Sequence, residues 1–288
     1  MGLRKKQLWY TSCLLRVKNV LRENTMHEGI FIAASAGIKQ GRKLDVIAQN
    51  IANANNTGYK RDRLVFKEFM PPFAPDEQLN AGRNVLLPPQ LSNSNVSYVG
   101  VSDQYTDHTE GGLNQTGGTL DLALKGPGFF SVSTEEGVRY TRNGNFRLNT
   151  KNQLVNQKGN PVLNPQDNPI VIDAPGADIS IDAEGNVSAG TGLINLNIGK
   201  IKLVNFENSK TLEKVGEGLF LQNDLEAEAK TPTETVVAQG FLENSNVTVV
   251  EEMTDMLATL RLFETYQKMI QSIDSMDDQS VNDIGRVG

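Results

Sequence analysis

Two histidines, one cysteine and a scatter of carboxylates are the side chains of this sequence best suited to metal, nucleophilic or acid–base chemistry, and their spacing assembles none of it. His27 and His108 lie far apart, each without a neighbouring cysteine or paired carboxylate, so no zinc site is indicated and both read as surface or turn histidines. The phosphate-cradling pattern G-x-x-x-x-G-K-[ST], a complete G-x-G-x-x-G and the nucleophile elbow G-x-S-x-G do not occur. Asp182-Ala183-Glu184-Gly185-Asn186 has the oxygen-rich look of a calcium loop. Its ligands and glycine fall at the wrong spacing and no glutamate closes it, so a hairpin turn between two strands is the better reading. The carboxylates leave a glycosidase-like pair open without selecting one. No catalytic, cofactor-binding or metal-ligating residue is assigned, and the chain reads as a non-enzyme that needs no cofactor.

The elements around these residues point to assembly instead. At 288 residues the chain is long enough for one sizeable core or two smaller domains. No apolar stretch approaches the roughly 20 residues that cross a bilayer, so no membrane span is expected. A net charge of −6 and a pI near 5.1 argue against nucleic acid as a partner. The short basic group Lys60-Arg61 with Arg63 reads as solvated surface.

The two ends carry matching apolar seams. Ile30, Ala34, Gly37, Gly41, Leu44, Ala48 and Ile51 recur at alternating steps of four and three, which keeps them on one side of a helix running from His27 to about Asn53. Two interior glycines each cost about 1 kcal/mol relative to alanine; close approach of another helix would compensate, and a locally weak helix that tolerates them is the alternative. The run Asn53-Ala54-Asn55-Asn56-Thr57-Gly58 ends the helix. At the other end, Thr248 and Glu251 have capping-box spacing, and Val249, Met253, Met256, Leu260, Phe263, Gln267 and Ile270 then repeat at the same steps. The methionines and phenylalanine there read as packing residues, not a cofactor box. Beyond Ile273 the acidic stretch Asp274-Ser275-Met276-Asp277-Asp278 faces the negative helix end and is expected to fray. Neither helix is stable alone in water, and pairing them still leaves apolar surface exposed, which more copies would cover.

Between the ends, residues 70 to 118 are rich in Pro, Asn, Ser and Gly and read as connector, with 111 to 118 a turn-rich linker. From Leu120 onward short strand patterns predominate: Leu120–Leu124, Phe129–Val132, Val138–Thr141, Phe146–Leu148, Gln153–Val155, Ile170–Ile172, Ile179–Asp182, Ile201–Phe206, Leu219–Gln222 and Val236–Leu242. Turn signals such as Gly126-Pro127-Gly128 and Asn143-Gly144 separate them, which predicts an antiparallel all-β domain. The fold class is therefore α+β: N- and C-terminal helices pairing as a coiled-coil-like bundle around a central antiparallel β domain. The expected divisions are a leader over 1–25, a discontinuous helical core over 27–58 and 244–288, a connector over 59–118 and a β-rich domain over 119–243.

Four blocks in this order resemble the rod and hook family of the bacterial flagellum. They are Leu44-Asp45-Val46-Ile47-Ala48-Gln49-Asn50-Ile51-Ala52-Asn53-Ala54-Asn55-Asn56-Thr57-Gly58-Tyr59-Lys60, the run from Leu120 to Phe130 containing Gly126-Pro127-Gly128, Tyr140-Thr141-Arg142-Asn143-Gly144-Asn145-Phe146, and Gly240-Phe241-Leu242-Glu243-Asn244-Ser245-Asn246-Val247 with the helix after it. Arg261-Leu262-Phe263-Glu264 followed by Lys268-Met269-Ile270-Gln271 is more similar to the proximal rod than to the distal rod or the hook. The resemblance implies a structural subunit of the periplasmic rod with no catalytic activity. It implies contacts with copies of itself and with other rod proteins, through an inner tube of terminal helices with the β domain outside. Subunits repeating by a screw operation join head to tail, so one patch must match a different patch. It also implies passage, largely unfolded and without a cleaved signal, through the flagellar export apparatus. A distal-rod or hook-family subunit is the nearest alternative; a wall-active enzyme or carbohydrate-binding module is the more distant one.

The first 25 residues depart from that pattern, with six bases against the single acid Glu23, so that the chain without them would carry −11. A signal peptide would need an unbroken apolar core and a small-x-small cleavage site, but Thr11, Ser12 and Cys13 interrupt Leu8–Leu15. A basic amphipathic helix on a membrane is a second reading. The favoured expectation is that Met26 is the first residue, since family members begin just before the first helix and lack cysteine.

Overall fold

The computed structural model describes residues 29–69, 98–173, 178–190, 195–206, 208–223, 230, 232 and 234–285, so the leader, His27 and most of the Pro-rich connector lie outside the described residues. Helix α1 occupies 29–52, an alanine-rich stretch without proline. Its last turn closes with the Asn53 amide donating to Gln49 O at 3.2 Å, and the chain then turns through Gly58 at φ +67. Helix α2 spans Val249–Gly285, beginning one residue after Thr248. It runs through the acidic stretch expected to fray. The side chains at 256, 259, 263, 266, 270, 273 and 277 are buried or half-buried at steps of three and four, and a continued stripe outweighs a helix-dipole penalty of about 0.3–1 kcal/mol.

The described residues form two compact units. One comprises 29–47, 64–69, 98–103 and 254–285. In it α1 and α2 are in contact: a Cβ added to Gly29 would lie 3.5 Å from Ile273 Cδ1. The Lys39 ammonium stands 4.1 Å over the Phe66 ring.

The other unit comprises 48–63 and 104–253, and its strands make antiparallel ladders. A five-stranded sheet runs in the order Leu203–Val204, Phe129–Thr134, Gly137–Thr141, Leu219–Gln222, Leu212–Lys214. Alternation along its strands buries both faces. Phe130, Leu203 and Leu219 enter the larger core with Leu122, Leu124, Val132, Leu154, Val162 and Val187, whereas Phe129, Val204 and Phe220 join Phe206 and Leu212 on the other side. A three-stranded sheet orders Asn195–Lys200, Asn186–Gly190, Asp178–Ile181. The anticipated hairpin turn lies between its last two strands, with Asp182 Oδ1 accepting from the Asn186 and Glu184 amides.

Several expected elements differ. Val236–Leu242 is two strands, because Gly240 at φ +78 breaks it: Val236–Gln239 pairs with Leu122–Lys125, and Phe241–Glu243 with Leu113–Gln115. The 111–118 linker thus contains a strand whose polar sequence gave no periodic signal. Part of the connector is also strand, Asp62–Phe69 pairing with Tyr98–Thr106. The expected Ile201–Phe206 strand shrinks to Leu203–Val204, and Ile170–Ile172 makes an isolated bridge through Val171.

Candidate functional site

The helices present apolar side chains on more than one face. On α2, Glu252 and Thr259 are buried, while Val250, Met253, Leu257, Leu262, Met269 and Met276 stand exposed, the last three seven residues apart. On α1, Phe31 and Ile38, also seven apart, are 61% and 69% exposed. Of the residues anticipated for subunit contact, Gly37 is buried, Ile30, Ala34, Gly41, Leu44 and Ile51 are half-buried, and Ala48 is exposed. Val249, Met256, Leu260, Phe263 and Ile270 are half-buried and Met253 is exposed. The buried row of α1 is Ala33, Ala36, Gln40, Ile47 and Asn50, one residue N-terminal to most of the anticipated seam. A Cβ added to Gly37 or Gly41 would meet no described atom within 4 Å, so no described part of the chain exploits these glycines for close approach.

Where the helices end, in the unit of residues 48–63 and 104–253, lies a joint built from charges. Lys60 is fully buried, and its Nζ donates to Glu243 Oε1 at 2.5 Å and to Thr109 O at 2.7 Å. Glu243 Oε1 also accepts from the Gly111 amide at 3.0 Å, and Oε2 faces Arg142 Nη1 at 3.5 Å. Arg142 Nη2 donates to Gly126 O at 2.8 Å. These groups arrive from five stretches of chain. The N-terminal one reaches them because Gly58 adopts a left-handed φ and its amide donates to Glu243 O at 2.7 Å; a Cβ there would stand 2.5 Å from the Arg142 carbonyl carbon.

A second layer braces the first. Asn50, buried in the last turn of α1, donates through Nδ2 to Asp62 O at 3.0 Å and to Glu252 Oε2 at 3.3 Å, and accepts from the Asp62 amide and the Tyr59 hydroxyl. Lys214 Nζ donates to Asp62 Oδ2 at 2.9 Å and Lys60 O at 2.8 Å, and sits 4.1 Å over the Tyr59 ring. Arg61 Nη1 reaches Glu252 in the first turn of α2 at 3.3 Å. Asn246 ties the Arg61 amide to Asp107 O. Burial lowers the Lys60 and Lys214 pKa values, against the opposing pull of Glu243 and Asp62 respectively, and raises that of Tyr59.

Two sequence readings are overturned here. Lys60 and Arg61 are not solvated surface; they lie inside the joint, and only Arg63 of that trio is exposed. His108 is not a surface histidine: its ring packs edge-on to Phe129 at 5.5 Å and Phe220 at 5.2 Å. Asn50, Arg142 and Glu243 stood inside the blocks that resemble the rod and hook family, but no spacing or periodicity marked them, or Glu252, as partners in one buried cluster. Among the described residues no helix is long and apolar enough to cross a membrane, and no group of three or more His, Cys, Asp or Glu could hold a metal ion.

Uncovered apolar faces on α1 and α2, and an antiparallel β unit whose buried charge cluster takes in the last turn of α1 and the first turn of α2, are the features of a structural subunit of the assembling kind. Three family descriptions match successive stretches: "Flagella basal body rod protein" over 30–60, "Flagellar hook protein FlgE/F/G D1 domain" over 123–189, and "Flagellar basal body rod FlgEFG protein C-terminal" over 238–284. The chain is 31% identical to the flagellar basal-body rod protein FlgF of Caulobacter vibrioides over 91% of its own length and all of that protein. It is 34% identical to the rod protein FlgG of Bacillus subtilis over 83% of its own length and 92% of that protein, and 32% identical to FlgG of Buchnera aphidicola over 87% and 97%. The chain belongs to the family of flagellar basal-body rod proteins.

Proposed function

We propose that this chain is a structural subunit of the proximal rod, polymerising through α1 and α2 to form part of the drive-shaft tube, with the paired helices inside and the β domain outside. The observation that carries this reading is the apolar surface left open on both helices, Phe31 and Ile38 on α1 and Val250, Met253, Leu257, Leu262, Met269 and Met276 on α2. Apolar surface exposed in this way marks an interaction surface. A Cβ added to the half-buried Gly41 meets no described atom within 4 Å, which adds support, since a neighbouring helix can approach there. The seams Ile30, Ala34, Gly37, Gly41, Leu44, Ala48, Ile51 and Val249, Met253, Met256, Leu260, Phe263, Ile270 make the coiled-coil-like contacts between copies and with other rod proteins. The subunit acts in the periplasm without catalysis, a membrane span or nucleic acid. It arrives through the flagellar export apparatus without a cleaved signal, and assembly supplies the stability that separate helices lack.

Replacing Gly37 and Gly41 together by Leu tests the helix contact. A Cβ added at either position meets no described atom within 4 Å and helix propensity improves, so the purified double variant is expected to fold. Incorporation into basal bodies is lost. Normal motility of that variant would sink the proposal.

A second reading, a distal-rod subunit, draws on the 34% identity to a FlgG protein. Complementation separates the two: the chain restores motility to a strain lacking the proximal FlgF and not to one lacking FlgG. The opposite pattern assigns it to the distal rod.

A further inference from the structure

His108 stands where a positive charge is least welcome. Its ring is wedged between Phe129 and Phe220, and both ring nitrogens are enclosed without a hydrogen bond of acceptable geometry. Lys60, Arg142 and Lys214 act on it from three separate stretches of chain, opposed by the Ser209 backbone, which favours its protonation. The carboxylates around it are engaged elsewhere. Glu243 lies between Lys60 and Arg142, and Asp62 is held by Lys214. Asp107 faces Arg61 and Arg63, and Glu110 accepts from the Gly126 amide.

The segment that carries His108 is also the keystone of the joint. Within five residues it supplies the Asp107 amide to Arg61 O at 2.8 Å, Thr109 O to Lys60 and the Gly111 amide to Glu243. Gly111 is pressed so closely on Asn244 that an added Cβ would lie 1.9 Å from its carbonyl oxygen, so the segment is seated by direct backbone-to-backbone approach. One side is open: His108 lines a cleft of about 580 Å³ together with Tyr105, Phe129, Arg142 and Phe206, which gives water and the displaced segment somewhere to go.

We propose that His108 makes this joint acid-labile: a proton on its ring unseats residues 107–111 and releases the anchorage of the last turn of α1 and the first turn of α2, while the β core stays folded. The sign follows from its surroundings. Burial, then the three cations, lower its pKa from 6.5 to about 4, so the unseated form binds the proton first and the seated form loses ground as pH falls below 6.5. With those two values the unseating equilibrium rises roughly 20-fold between pH 7 and pH 5.

The experiment is amide hydrogen exchange on the full chain between pH 7 and 5, corrected for intrinsic rates. The amides of Gly58, Asp107 and Gly111 report the joint, and those of Leu154 and Val162 report the β core. The expected result is about a 20-fold loss of protection at the three joint amides with the core unchanged. His108→Phe retains protection at pH 5, whereas His27→Gln, at the only other histidine, behaves as wild type. Equal acid loss in wild type and His108→Phe, or flat protection in the wild type, overturns the proposal. Where His108→Phe fails to fold, the histidine titration of the wild type by NMR decides together with the exchange data: a His108 pKa of 5 or above overturns the proposal, and one below 5 with acid loss of protection at the three joint amides upholds it.

Discussion

Lys60 and Glu243, 183 positions apart in the chain, place an ammonium and a carboxylate 2.5 Å from one another where water does not reach. A pair like this contributes little net stability when intact, because desolvating both charges offsets their attraction. Its weight shows when one partner is removed. Glu243→Gln strands Lys60 and Arg142 as buried cations and is expected to destabilise the protein by about 3–5 kcal/mol, read as a fall in the urea midpoint. Lys60→Met costs less, since Glu243 keeps Arg142 and the Gly111 amide. The double replacement Lys60→Met with Glu243→Gln loses less than the two single losses added, and strict additivity would show that the pair is not coupled.

Gly58 and Gly159 separate two costs of replacing glycine. Both hold positive φ, +67 and +94, but a Cβ on Gly58 strikes the Arg142 backbone at 2.5 Å while one on Gly159 meets no described atom within 4 Å. Gly159→Ala is expected to cost about 1–2 kcal/mol from backbone strain alone. Gly58→Ala should cost at least twice that in thermal or urea unfolding, and equal losses would mean that the close approach to Arg142 is relieved cheaply.

The exposed row of α2 separates folding from assembly. Met253→Glu with Leu257→Glu changes two side chains that are 51% and 60% exposed, so the isolated protein should unfold within about 0.5 kcal/mol of wild type per site. Recovery with purified basal bodies should fall below detection. Wild-type incorporation of this variant would remove that row from the interface.

Tyr59 gives an alkaline signature. Its pKa is raised first by burial, then by Asp62 and Glu252, so the neutral phenol belongs to the folded state. Its contribution is complete below pH 10 and is lost as pH rises beyond. In a spectrophotometric alkaline titration, Tyr59 and Tyr140 should ionise above the usual tyrosine range, and Tyr59→Phe should remove one late titrating group. A titration without a late group would show that the joint does not shield the phenol.

Much of the architecture is written locally. The four–three spacing of Ile30 to Ile51 and of Val249 to Ile270 is enough for two helices, because side chains at those steps share a face and their burial repays helix formation. The alternation of Leu122–Leu124 and the adjacent Phe129 and Phe130 are enough for strands buried on one or both faces. Gly240 was legible as a glycine, but not as the break that sends two halves of one apolar run to different partners, since that depends on which strands lie beside them.

By itself the sequence determined that the chain has helical ends, a β centre and the blocks of a rod protein, since each is a pattern within a few turns or strands. Only the tertiary structure decided that Lys60, Arg142 and Glu243 form one buried cluster, and that His108 sits beside three cations. Charge and polarity are properties of a residue, whereas burial and pairing belong to the place where distant stretches of chain meet, and no local pattern records that place.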